Sequence, residues 1–311
     1  MVLLERIKKK LTQLCGKNDI DELKILTAKA LVLDTKNNVY LNIQEAEFKV
    51  FSQWGEDGIV QYLINKLPIE NEVFIEFGVE DYTESNTRFL LENDNWSGLV
   101  MDGSYENIKS IKKSEIYWKH DLVAKEVFIT RDNIDPIIDD FIQNNNFKKE
   151  IGLLSVDIDG NDYFIWDAIK SIDPIIVICE YNSVFGKKYS CTVPYDEAFV
   201  RTKKHYSNLY FGASIQAVCK LAKLKGYEFI GTNKNSVNAF FVKKEYAYKY
   251  IPELITTIEE SVFDSKFRES RDENGKLTFL SGKQRINLIK SMPVINLDND
   301  EMVLLEKFFK L

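Results

Sequence analysis

The sequence predicts an α/β fold: a doubly wound, mostly parallel sheet with a terminal antiparallel hairpin. Three observations predict it. Short apolar runs alternate with helical segments along the middle of the chain, the pattern that builds parallel sheets with short crossovers. Three of these runs, Val73–Phe77, Leu153–Ile158 and Ile175–Cys179, are apolar nearly throughout, as strands covered on both faces are. Acids stand at or just past the ends of several runs: Glu76, Asp102, Asp157 and Glu180. Ligands of open α/β sheets bind outside the carboxyl ends of the strands, so these acids outline a Rossmann-like site.

Taken in order, the first 47 residues read as a peripheral helical extension. Leu3, Leu4, Ile7, Leu11 and Leu14 share one helical stripe, and a second helical segment spans about Ile20 to Leu33. This arm covers the core or mediates self-association into a homo-oligomer. Lys8, Lys9 and Lys10 read as a solvated face or a phosphate contact.

Ser52 is a candidate N-cap for a helix carrying Ile59, Val60, Leu63, Ile64 and Leu67, which Pro68 stops. The polar first turn, Gly55-Glu56-Asp57-Gly58, reads either as an ordinary cap or as free N–H groups for an anion.

Strand one is Val73–Phe77, followed by a helix capped by Ser85. Strand two is Leu99–Met101, and Ser104 caps the helix after it. Strand three is expected at Ile116–Trp118, ending on His120 and Asp121. A helix with Ile134, Ile137, Ile138, Phe141 and Ile142 leads to strand four, and one with Phe164, Ile165, Ala168 and Ile169 leads to strand five.

Residues 183–211, rich in Tyr, Lys and Ser, form a candidate lid or acceptor loop. Gly226 fits the C′ position of the helix before it. Tyr227–Gly231 and Ala239–Val242 are spaced for a hairpin. The segment from Arg268 to Arg285 mixes basic and acidic residues and turn signals. It reads as a solvated loop, or as a basic lip over an acidic substrate. The expected division is 1–47, 48–245 and 246–311.

Composition narrows the function. With 311 residues and 45% hydrophobic content the chain can bury a large core. A net charge of −7 argues against a general nucleic-acid binder. No apolar run approaches the ~20 residues of a membrane span, and no signal-peptide core is present at the start. Four scattered cysteines show no zinc or disulfide pattern, so the expected setting is cytoplasmic.

Acids at strand ends are natural acceptors for ribose hydroxyls, which points to an S-adenosylmethionine (SAM) site. Asp157, Asp159 and Asn161 follow strand four, and Glu180 and Asn182 follow strand five. Asp157, Asp159, Glu180 and Asn182 form an all-oxygen set suited to Mg²⁺; otherwise they bind the acceptor, one carboxylate serving as general base. His205 is a second candidate base, or a plain surface histidine. Trp54, Tyr82, Tyr163, Tyr181 and Tyr189 are candidate stacking faces or core. An NAD site is disfavoured, since no G-x-G-x-x-G follows strand one.

Several blocks in order carry a family resemblance. They are Phe51-Ser52-Gln53-Trp54-Gly55-Glu56-Asp57-Gly58, Phe74-Ile75-Glu76-Phe77-Gly78, Ser85-Asn86-Thr87, Leu154 to Tyr163, and Glu180-Tyr181-Asn182. The chain resembles the FkbM-type SAM-dependent methyltransferases, specifically a branch found among bacterial surface-polysaccharide genes. The resemblance implies a class I methyltransferase fold over about residues 48–245 and O-methyl transfer to a sugar, nucleotide-sugar or glycan precursor.

It further implies that Glu76 and Gly78 line the methionine end of SAM, and that Asp81, Ser85 and Asn86 contact its carboxylate and amine. Asp102 would take the ribose hydroxyls and Asp121 the adenine amino group. Asp157 and Asp159, with His205, are the candidate catalytic residues. One departure stands out: such enzymes carry several glycines after strand one, whereas here Val79-Glu80-Asp81-Tyr82-Thr83 follows Gly78. A catalytically degenerate protein of the same fold, acting as an assembly partner in glycan synthesis, is the alternative reading.

Overall fold

The computed structural model describes residues 17–311. The first stripe, from Leu3 to Leu14, the three lysines Lys8–Lys10, and Cys15 lie outside the described residues. The chain begins with helix α1 (Lys17–Asn37) and continues through α2 (Glu56–Lys66), β1 (Val73–Phe77), α3 (Arg88–Asp94) and β2 (Ser97–Asp102). Next come α4 (Tyr105–Lys113), α5 (Glu115–Lys119), β3 (Leu122–Glu126), α6 (Ile134–Asn144), β4 (Leu153–Val156), α7 (Asp162–Ala168) and β5 (Ile176–Glu180).

After β5 the chain forms β6 (Cys191–Thr192) and the short α8 (Arg201–Lys204). Helix α9 (Ile215–Leu224) leads into the hairpin β7 (Tyr227–Thr232) and β8 (Asn238–Lys243). Past α10 (Lys244–Tyr250) and α11 (Ile258–Ser261), the chain ends in α12 (Lys283–Leu288), β9 (Pro293–Asn296), β10 (Glu301–Leu304) and α13 (Leu305–Phe309).

The main sheet has the order β3-β2-β1-β4-β5-β8-β7. Its neighbours from β3 to β5 pair in parallel, while β8 runs antiparallel to both β5 and β7. This is the α/β class I methyltransferase fold, with the terminal hairpin where the sequence predicts it. β1, β4 and β5 are buried along their whole length, as their unbroken apolar runs require. Two apolar layers fill the two faces: Ile75, Leu154, Val177 and Phe241 on one, Phe74, Val100, Leu153 and Phe240 on the other.

Strand three lies elsewhere than expected. Ile116, Tyr117 and Trp118 belong to α5, where Glu115 and Lys119 pair across one helical turn. The strand itself is Leu122–Glu126, an edge strand whose exposed positions dilute its apolar pattern. Asp121 therefore precedes β3 instead of ending it. The helix expected from Ser52 starts later, at Glu56.

α1 carries the expected Ile20–Leu33 segment. Its Ala28 and Val32 pack on Val50, Phe51 and Phe89. Arg88 fixes it to the core by donating to Asp21 and Glu92, with its guanidinium 3.8 Å from the Phe51 ring centroid.

A second, three-stranded sheet has the order β10-β9-β6. It joins the 183–211 insertion to the C-terminal residues, and Phe185, Val193, Tyr210, Ile289 and Val294 form its core. The Arg268–Arg285 segment is no free solvated loop: Ser270 and Arg285 are buried.

Candidate functional site

In this strand order the direction of winding reverses between β1 and β4, and a crevice opens at their carboxyl ends. Two adjoining cavities of about 370 and 310 Å³ lie there, sharing Gly78, Glu80, Asp157 and Asp159 in their walls. The larger runs over β1, β4 and β5 and is bounded by Ser85, Asn86, Glu180, Asn182 and Arg201. The smaller runs over β2 and is bounded by Asp102, Asn107, Phe128, Ile129 and Phe199.

Gly78 is the pivot between them. Its φ is +68°, and a Cβ there would sit 1.9 Å from the Asp157 carbonyl oxygen. Gly78→Ala is expected to lower the melting temperature and abolish ligand binding. Strain at a left-handed residue alone costs about 1–3 kcal/mol, before the clash.

Glu76 acts mainly as a scaffold for the neighbouring loop. Its buried carboxylate accepts from the Ser85 hydroxyl at 2.6 Å, the Asn86 N–H at 2.8 Å, and the Thr87 N–H and hydroxyl at 3.2 and 2.5 Å. Burial raises its pKa against the pull of these bonds. Ser85 and Asn86 are thereby held at the cleft wall.

The Ser52–Gly58 block supports this loop from behind. Asp57 accepts from the N–H groups of Val50, Phe51 and Ser52, and the Phe51 carbonyl accepts from Ser85. Glu56 receives the N–H groups of Trp54 and Gly55 and the amides of Asn233 and Asn238, tying the turn of the hairpin to α2. The helix's own first-turn N–H groups at Asp57 and Gly58 donate to the Ser52 hydroxyl and the Phe48 carbonyl, which speaks against the anion-binding reading.

Asp102 closes the smaller cavity. Its Oδ1 accepts from Ser104 N–H and the Asn107 amide, its Oδ2 from Glu80 N–H at 2.9 Å. Oδ2 keeps a lone pair for a ligand hydroxyl. Glu80, at φ +48°, stands where a glycine is expected.

At the other end, carboxylate oxygens of Asp157, Asp162 and Glu180 lie within 4.8 Å of one another. Burial first, then mutual repulsion, raises Asp157 and Glu180 well above the carboxylate range, while Arg201 pulls the other way. Glu180 is buried and its Oε2 has no partner among the described residues. Asp162 rises to about 6. Its two oxygens accept from Ile158 N–H at 2.7 Å and Gly160 N–H at 3.0 Å, folding the turn after β4 around itself.

Four expected roles are corrected. Asp121 sits at the amino end of β3, away from the cleft, and accepts from Ser97 at 2.6 Å. Asp81 closes a local turn with Thr83 and lines a different depression beside Arg88. His205 borders neither cavity; its Nδ1 meets the Ser207 hydroxyl at 2.7 Å and its ring stacks on Tyr206.

The four-residue Mg²⁺ set is the fourth. Asp159, at φ +59°, pairs with Arg201 at 2.5 Å. Asn182 spends its amide on the carbonyls of Leu209 and Phe211 and its oxygen on Val184 N–H. Only Asp157 and Glu180 of that set converge. Asp162 joins them with both oxygens committed, and Arg201 stands 4.0 Å from Glu180 as a built-in cation. This donor set does not suit an ion demanding six oxygens.

Of the aromatic candidates only Tyr181 borders the cleft; Trp54 packs edge-on against Phe267, and Tyr189 against Phe308 and Phe309. Sequence reasoning missed Arg201, stacked 3.6 Å above the Phe211 ring, and Phe267; Glu269 and Arg285, which belong to the segment read as a solvated loop or a basic lip, also line the larger cavity. The signal that Arg201 and Phe267 offered was only their basic and aromatic character, within or beside the 183–211 and 268–285 segments.

No protein-family model and no curated protein matches the chain. Several solved structures do. The N-terminal domain of EvdMO1, crystallised in the presence of SAH and D-fucose, aligns at 8% identity over 60% of this chain and 82% of its own, with a TM-score of 0.38. The O-methyltransferase from Bacillus cereus in complex with SAH aligns at 10% identity over 76% and 97%, with a TM-score of 0.38. An O-methyltransferase family protein from Burkholderia thailandensis aligns at 6% identity over 73% and 59%, with a TM-score of 0.38. The class I assignment comes from the strand order of the chain itself.

Proposed function

We propose that this chain is a SAM-dependent O-methyltransferase of the FkbM type, acting on a hydroxyl of a sugar, nucleotide-sugar or surface-glycan precursor. One observation carries the reading: two cavities meet at Gly78, one ending on Asp102 and the other on the Asp157–Glu180 pair. The residues present fit the cofactor. Asp102 offers an acceptor for ribose, and Val127, Phe128 and Ile129 offer an apolar wall for a flat base. Glu76, Asp157, Asp159 and Glu180 line the methionine end with carboxyl oxygens, acceptors suited to an ammonium group.

When bound, SAM supplies an electrophilic methyl group. The chain's own work is to orient the acceptor oxygen and remove its proton. Two carboxylates this close and this buried do not both ionise at neutral pH. The ionised member of the Asp157–Glu180 pair would accept the hydroxyl proton, while the methyl group passes from the sulfonium sulfur to the acceptor oxygen and the cofactor leaves as its thioether. Arg201, 4.0 Å from Glu180, favours the ionised form.

Glu80 favours the second reading, a degenerate protein of this fold, because its N–H occupies part of Asp102. Mass spectrometry on a panel of nucleotide-activated and free sugars, incubated with SAM, decides between the two. A methylated product is expected, and its formation is expected to survive EDTA. Loss with EDTA and recovery with Mg²⁺ would reinstate a metal at Asp157 and Glu180. Among the described residues no helix is long and apolar enough to cross a membrane.

A further inference from the structure

Arg285 is buried, with 6% of its surface exposed, and lines the larger cavity. It donates from Nη1 to the Phe267 carbonyl at 3.0 Å and from Nη2 to the Ser265 carbonyl at 3.4 Å. Its Nε has no partner among the described residues, and no carboxylate forms an ion pair with it there. The other buried arginine, Arg88, is paired with two acids. Arg201, on the same cavity, is paired with Asp159. Glu269, the acid nearest in sequence on this wall, is engaged by Arg271 at 3.1 Å.

A buried guanidinium held only by carbonyls lacks the counter-charge that burial demands. Its planar fork matches a carboxylate or phosphate. We propose that Arg285 is the seat for an oxyanion carried by the acceptor, so that the substrate class is an anionic sugar: a sugar phosphate or nucleotide diphosphate-sugar, or a uronate. The inference rests on the methyl-transfer reading and refines it.

The cavity is electrically divided. Its floor, with Glu76, Asp157 and Glu180, is acidic and repels an anion; the wall with Arg285 and Phe267 attracts one. An acceptor is thus turned with its hydroxyl toward the acid pair and its anionic group toward α12. Neither carbonyl partner need be given up, since Nη1 and Nη2 each carry a second N–H.

The test is titration calorimetry of the full chain with glucose 1-phosphate, glucuronate and the neutral methyl glucoside, repeated with Arg285→Gln and Arg285→Lys, alongside SAM. Wild type is expected to bind at least one anionic sugar tenfold or more tighter than the neutral one. The phosphate and carboxylate arms identify which oxyanion is taken. Arg285→Gln is expected to erase that preference with SAM affinity unchanged, and Arg285→Lys to restore part of it.

Equal binding of neutral and anionic sugars by wild type would overturn the proposal, and so would a preference that persists in Arg285→Gln. Should Arg285→Gln fail to fold, the wild-type comparison and Arg285→Lys decide. Anion preference without SAM binding would sink the methyl-transfer reading and keep this site. SAM binding without anion preference would do the reverse.

Discussion

Asp102→Ala is expected to weaken SAM binding by roughly 10- to 100-fold, the range for losing a hydrogen bond to a charged group. The carboxylate ends β2 at the edge of the smaller cavity, and one of its oxygens carries a single backbone bond. The same side chain also orders Ser104 and Asn107, so alanine removes both a ligand contact and a loop anchor. Asp102→Asn separates the two in part: it keeps the shape and the acceptor for Ser104 and Asn107, sets an NH₂ against the Glu80 N–H, and is expected to lower the melting temperature less than alanine does while losing part of the affinity. Calorimetry and thermal melts on the same samples read both effects.

Glu180→Gln is expected to lower kcat by about 10²- to 10⁴-fold, the usual contribution of a positioned proton acceptor. The pH dependence has a definite sign. Burial and neighbouring acids raise the pKa of both Asp157 and Glu180, so the folded state holds a proton that the unfolded chain has released. Stability from these groups is full below the ordinary carboxylate pKa and falls as pH rises through the raised one. Activity runs the opposite way, rising with pH as the pair ionises.

Glutamine at 180 removes the repulsion without an ionisable group. The variant is therefore expected to melt higher than wild type at alkaline pH and to lose that advantage at acid pH. A stabilised, inactive variant is the signature of residues held for chemistry against the interest of the fold. Asp157→Asn is expected to behave in the same way. A melting temperature that falls at every pH would assign these carboxylates a purely structural role.

The parts of the fold that were legible in the sequence are those set by local pattern. β1, β4 and β5 are covered on both faces, and their unbroken apolar runs state it. The hairpin of β7 and β8 and the C′ glycine at Gly226, with φ +87°, follow from short-range turn chemistry. β3 was misplaced because an edge strand keeps only half its positions buried, while the neighbouring Ile116-Tyr117-Trp118 triplet is more apolar and yet helical.

The site divides along the same line. Acids at strand ends are fixed by the strands that carry them, so Glu76, Asp102, Asp157 and Glu180 arrive where expected. Arg201, Phe267 and Arg285 are brought in by the second sheet, whose pairing of Cys191 with Asn296 joins segments about a hundred residues apart. No local periodicity encodes that pairing. Asp159 and Asn182 failed as ligands for a different reason: their side chains satisfy partners that exist only once the insertion has folded over β5.

Titration of the wild-type chain with SAM, set beside Asp102→Ala and Asp121→Ala, bears on the cleft at the strand ends more directly than any other measurement. A single saturable site, weakened at least tenfold by the change at 102 and untouched by the one at 121, is the predicted result. No binding to wild type, or equal binding by all three proteins, would contradict it.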